Sequence, residues 1–254
     1  MTEALPLLAF QAALLFCRIG ACCMVLPGIG EGDIPPMLRL ALPLALVAAL
    51  LPVLAPGLPP PPGDAPGLVR LVAVEVATGL WLGWLARLAS IALAMAGQVM
   101  AFLIGLSSVL VLDPSMGGAG SPLSRFLGLA AAALVLSSGL YAVPLRALAD
   151  SYALLPPGGP ALPVAAATEA LGQAISQSLA LALRLAAPFV LLSLLVQVLG
   201  GLVARVAPQA QAFVLVVPAQ VLLGLLLLGA LLPSLLRHWQ EAVRAAWTLL
   251  PGQG

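Results

Sequence analysis

The sequence has no lysine, one histidine and three cysteines, and only 7% of its 254 residues are charged. Each scarcity excludes something. A lone histidine, His238, cannot build a His-cluster zinc site or an HExxH helix. Cys17, Cys22 and Cys23 fit no CxxC metal or redox spacing, and they read as small packing residues within an apolar segment. A GxSxG elbow, a P-loop and paired carboxylates at helical spacing are all missing, so the chain reads as a non-enzyme with no cofactor and no metal. A net charge of +1 leaves no electrostatic footprint for nucleic acid. Soluble domains carry about 25% charged residues. Ten arginines and nine acids are too few to cover this chain in water, so lipid or partner proteins must cover it.

What is present is apolar: 62% hydrophobic residues and a mean hydropathy of +1.15. Residues 88–112, 126–145, 185–204 and 206–236 hold no charged side chain. The stretches 4–26, 38–56 and 68–86 are apolar except for Arg18, Arg39, Arg70 and Glu75. A helix crosses a bilayer core with about 20 residues. The pattern predicts an all-α, polytopic membrane-associated protein with six or seven hydrophobic segments. No basic region precedes the first apolar stretch, which is therefore read as a retained helix rather than a cleaved signal. Arg237 and Arg244 against Glu241 favour a cytoplasmic tail.

The organisation expected is a single domain, 1–254. Within it, 1–56 is an N-terminal hydrophobic hairpin and 57–67 a stiff Pro-rich linker. Central helices at 68–112 and 123–154 flank a Gly-rich loop at 113–122. Hydrophobic hairpins at 164–236 lead to an amphipathic helix at 235–250, with Leu235, Leu236, Trp239, Val243, Ala246 and Leu250 on one face and Arg237, His238, Glu241 and Arg244 on the other. Trp239 and Trp247 suit a membrane interface. Pro144, Pro188, Pro208, Pro218 and Pro233 lie in or beside apolar segments, where they are expected to break or kink helices; Pro208 and Pro218 are the breaks singled out.

Charges inside apolar stretches are the sharper signal. Arg18, Glu75, Arg87, Arg184 and Arg205 each cost about 2.5–3.5 kcal/mol in hydrocarbon by insertion scales, so they belong in a protein interior, a water-filled lumen or an interface. Glu75, Gly79, Gly83 and Arg87 recur every four residues as one helix stripe, and Gly79 and Gly83 permit close helix approach. A competing reading is a proton- or solute-coupled transporter with Glu75 and Arg87 lining the path.

The runs Phe16-Cys17-Arg18-Ile19-Gly20, Leu26-Pro27-Gly28-Ile29-Gly30, Ile34-Pro35 and Arg39-Leu40-Ala41-Leu42 resemble the start of the FliR/SctT family, the export-gate proteins of flagella and injectisomes. The likeness continues through Glu75 to Gly83, Ala96-Gly97-Gln98, Gly105 and Asp113-Pro114. It resumes at Leu148-Ala149-Asp150-Ser151-Tyr152 and Leu155-Pro156-Pro157-Gly158, and ends with Ala204-Arg205-Val206-Ala207-Pro208-Gln209 and the stretch around Pro218. Leu140, Gln211 and Gln220 depart from a His, an Asn and a Lys common in the family.

The resemblance implies a structural subunit of a protein-export gate in the bacterial inner membrane, within the flagellar basal body. It would assemble with FliP-like and FliQ-like subunits and with FlhB-like and FlhA-like export components, and pass unfolded proteins. Its helices would be kinked hairpins in a cone raised from the bilayer plane. It also implies a pore plug on the loop from Gly105 to Pro122, including Ser107, Ser108, Asp113, Pro114, Met116, Gly117 and Gly118. Arg18, Glu75, Arg87 and Arg205 would be buried or interface charges, and Gly79, Gly83 and Gly97 helix-packing positions.

Overall fold

The computed structural model describes residues 4–32, 34–106, 121–160, 162–206 and 212–250, and among them every regular element is helical. In order these are α1 (Ala4–Val25), α2 (Pro36–Leu54) closed by a 3-10 turn (Ala55–Gly57), α3 (Ala65–Leu103), α4 (Pro122–Ser137), α5 (Ala142–Leu154), α6 (Val164–Val206) and α7 (Ala212–Thr248). The physical reason is local. Among apolar surroundings a helix satisfies its own backbone donors and acceptors, and no open strand does.

Five helices, α1, α2, α3, α6 and α7, are long and apolar enough to cross a membrane, and α4 with α5 makes a sixth span if that pair is taken as one. The two are bent by 68° at a short break where Gly139 adopts φ +72°. Hydropathy splits 68–86 from 88–112 at Arg87, but the helix does not: α3 runs across Arg87 without interruption and ends at Leu103, because a charge removes no backbone hydrogen bond. At 1.5 Å per residue the 39 residues of α3 reach about 58 Å, and the 43 of α6 about 64 Å. Both are near twice the ~30 Å hydrocarbon core.

The proline expectations divide. Pro144 is the third residue of α5, where an absent N–H has no helical acceptor to lose. Pro188 lies inside α6, and Pro218 and Pro233 lie inside α7. Pro218 is therefore not a helix break. One proline forfeits one hydrogen bond, whereas opening the helix in an apolar setting would orphan several. Pro208 lies outside the described residues. The amphipathic segment is also not separate, since α7 continues through it to Thr248. Its apolar side is covered: Leu235, Trp239, Val243, Trp247 and Leu250 are buried while Arg237, His238, Glu241 and Arg244 are exposed. The two tryptophans are thus interior residues rather than membrane-interface anchors.

The chain packs as two compact units. The first comprises Met1–Ser90, Ala132–Ile175 and Arg244–Gly254. Its core joins Leu14, Leu15 and Ile19 of α1 to Leu71 and Leu82 of α3 and Leu148 of α5. The second comprises Ile91–Ala131 and Ser176–Val243. Its buried side chains include Leu93 and Met100 of α3, Leu127 of α4 and Phe189 of α6, while Leu191, Leu194, Leu195, Val198, Leu222 and Leu226 stay exposed.

Candidate functional site

The first unit is built around a guanidinium. Arg18 sits in the middle of α1 with 1% of its side chain exposed, and Glu75 of α3 is 0% exposed. Their contact is bidentate: Arg18 Nε donates to Glu75 Oε2 at 2.8 Å and Nη2 to Oε1 at 3.0 Å. Nη2 also donates to the Leu155 carbonyl at 2.8 Å. Nη1 donates to both the Ser151 carbonyl and the Ser151 hydroxyl oxygen, each at 3.2 Å. That hydroxyl in turn donates to the Leu148 carbonyl at 2.6 Å. A guanidinium has five N–H donors, and here all five are engaged. The Tyr152 ring covers the group, its centroid 4.3 Å from Cζ. Leu155 is the C-cap of α5, so Arg18 also places a cation where that helix presents unpaired carbonyls and the negative end of its dipole.

Close approach makes this geometry attainable. A Cβ on Gly79 would collide with the Arg18 carbonyl oxygen, and one on Gly83 would lie 2.9 Å from the Cys22 carbonyl oxygen. These glycines let α3 lie directly on the α1 backbone, which brings Glu75 into line with Arg18.

Arg87, three turns beyond Glu75, serves the other end of α1. Its Nη1 donates to the carbonyl of Val25, the last residue of α1, at 3.2 Å. Its guanidinium meets the Glu31 carboxylate at 3.4 and 3.5 Å. This second pair is looser and wetter, with 25% and 31% of the two side chains exposed. Nearby, Trp247 Nε1 donates to the Ala86 carbonyl at 3.0 Å. The two ends of the glycine stripe thus find different partners.

Other expected positions fall elsewhere. Arg205 and Arg184 are exposed on this chain, so neither is a buried charge. Both lie on α6, most of whose apolar residues are exposed as well. Gly97 lies against α4, 2.9 Å from a Cβ position to Ser124 Cα. Of the expected plug, Gly105 is described, with φ +81°. Ser107, Ser108, Asp113, Pro114, Met116, Gly117 and Gly118 lie outside the described residues.

Sequence reasoning missed four contributors: Ser151 and Leu155, which complete the Arg18 shell; Glu31, the partner of Arg87; and Gln220, set aside as a departure, whose side-chain amide donates to the Leu103 carbonyl at the end of α3. The signal for the first two was the run from Leu148 to Leu155. For Gln220 none was available, because a helix-end contact 117 residues away leaves no local pattern.

The saturated shell also bears on the transporter alternative. A passenger ion or proton needs an exposed or exchangeable ligand. Glu75 has no exposed surface, and each of its oxygens accepts a hydrogen bond from Arg18.

Comparison with known proteins locates this architecture. A family model described as bacterial export proteins, family 1, matches residues 9–246. The chain is 35% identical to the flagellar biosynthetic protein FliR of Caulobacter vibrioides, covering 93% of this chain and 95% of that protein. It is 29% identical to the FliR of Escherichia coli over 92% and 88% of the two chains. It is 30% identical to the surface presentation of antigens protein SpaR of Salmonella typhimurium over 89% and 86%. With a match running from α1 to the last turns of α7, the chain belongs to the bacterial export proteins, family 1, as a multi-helix membrane subunit of a type III export apparatus.

Proposed function

We propose that the chain is a structural, non-enzymatic subunit of the flagellar protein-export gate in the bacterial inner membrane. It assembles with FliP-like and FliQ-like subunits, works with FlhB-like and FlhA-like export components, and helps pass unfolded proteins. The observation that carries this reading is similarity to a flagellar protein at 35% identity over 93% of this chain and 95% of that protein. Two physical features agree with it. Arg18, Glu75 and Arg87 are spent on fastening helices of the first unit together. The second unit exposes apolar side chains along α6 and α7, as a subunit covered by lipid or neighbours requires.

The test is co-isolation. Expressed with its genomic neighbours, the chain should purify in a fixed ratio with small FliP-like and FliQ-like membrane proteins, and its removal should stop secretion of flagellar components. A stable chain expressed alone that takes up a small solute would sink the reading. The plug assignment on the Gly105–Pro122 loop rests on the resemblance and on the loop's small, Gly-rich composition. Deleting residues 115–120 should make the assembled gate leak small ions, and wild-type conductance would refute it.

A further inference from the structure

The chain is held on both sides of residues 107–120, by different elements of the second unit. On the entering side α3 ends at Leu103, and a helix end leaves its last carbonyls without intrahelical donors. The Leu103 carbonyl is taken by Gln220 of α7, Nε2 to O at 2.5 Å. One turn further along α7, Gly224 meets Ile104 so closely that a Cβ at 224 would collide with the Ile104 side chain. Gly105 then turns the chain with φ +81°, its amide donating to the Phe102 carbonyl at 3.2 Å. On the leaving side the hold is to α3 instead. The Ser121 amide donates to Gln98 Oε1 at 2.7 Å, and Ser124 Oγ donates to the Ala94 carbonyl at 2.8 Å. Ser121 Oγ accepts from the Ser124 amide at 3.2 Å and so caps α4.

We infer that Gln220 and Gly224 are positioning residues through which α7 sets the place of the α3 end. On the far side of the segment, residue 121 is held by Gln98 of α3 instead, so the two sides are fastened by side chains of different helices. What the α3 end requires from position 220 is a donor. A lysine would supply one with a positive charge, favourable at a helix C-terminus, whereas a leucine supplies none. What it requires from position 224 is the absence of a side chain facing Ile104.

The inference rests on the export function proposed above, and the experiment separates the two. Full-length variants are produced in a flagellated host lacking the chain, and secreted flagellar protein is measured per unit of chain in the membrane. Export that persists without any chain refutes the function itself. Given dependence on the chain, Gln220→Leu should lower export on the order of tenfold, the factor one buried hydrogen bond is worth. Gln220→Lys should stay within about twofold of wild type, because its donor reaches the same carbonyl. Gly224→Ala should lower export, and Ile104→Ala in the same chain should restore it by vacating the space. Wild-type export from Gln220→Leu, a Gln220→Lys variant as poor as the leucine, or no rescue of Gly224→Ala by Ile104→Ala overturns the assignment. Normalising to chain level makes a variant that only fails to accumulate count against it as well.

Discussion

Removing Glu75 tests the account of the first unit most severely. In Glu75→Ala, Arg18 loses two of its five hydrogen bonds, those at 2.8 and 3.0 Å, and keeps its charge at a site 1% exposed. Breaking a buried pair from one side costs about 3–5 kcal/mol, because the surviving charge is left uncompensated. Arg18→Met leaves a buried carboxylate and should cost a similar amount. The double variant Arg18→Met with Glu75→Leu removes both charges. It leaves the Leu155 carbonyl without its donor, whereas the Ser151 carbonyl still accepts from the Leu155 amide at 2.9 Å. The residual cost should then be at most about 1–3 kcal/mol, the range for one unsatisfied buried acceptor, since the Leu155 carbonyl is only partly buried. Accumulation in membranes and thermal unfolding in detergent should therefore rank wild type above the double variant, and the double variant above either single. Reversing the pair, Arg18→Glu with Glu75→Arg, should not rescue, because a carboxylate at 18 would face the carbonyls of Ser151 and Leu155. A double variant no better than the singles, or a stable charge-reversed chain, would refute the reasoning.

The second ion pair should behave differently. Glu31→Gln should change stability by no more than about 1 kcal/mol, since the pair is long and partly solvated, and melting curves in low and high salt check this. Gly79→Ala should abolish accumulation, because its Cβ meets backbone rather than a movable side chain; Gly172→Ala, which meets nothing within 4 Å, should be neutral or up to about 1 kcal/mol stabilising in the same assay. Trp247→Phe should cost about 1 kcal/mol through its hydrogen bond to Ala86, and Trp247→Ala about 3–5 kcal/mol through the cavity, both read from unfolding midpoints.

The sequence conveys element type better than pairing. Apolar runs mark where helices lie, because nothing but a helix satisfies a backbone there. They do not mark where helices end: Arg87 interrupts the hydropathy of α3 but none of its hydrogen bonds, and Pro218 sits inside α7. The stripe Glu75–Gly79–Gly83–Arg87 is visible as a packing face, yet its two charges stand roughly 18 Å apart along the helix and cannot meet each other. Glu75 turns to Arg18, 57 residues earlier, and Arg87 to Glu31, 56 residues earlier. Such partners are selected by tertiary register, which no local spacing encodes. Gln220 is the same case at greater distance. Its identity departs from the family's lysine, while the geometry shows a donor is what the site uses.

The Arg18 shell also has a consequence in time. Its partners lie as many as 137 residues further along the chain. At the ordinary pace of bacterial translation, about 5–20 residues per second, α1 waits roughly 7 to 27 s between its own synthesis and that of Leu155. Until Glu75 follows, 57 residues later, a lone guanidinium sits in the centre of an apolar helix, where hydrocarbon opposes it, and its carbonyl partners on α5 come later still. The first helix is therefore a late arrival in the finished structure. It can settle at its final depth only once α3 has delivered a carboxylate and α5 has delivered its open end.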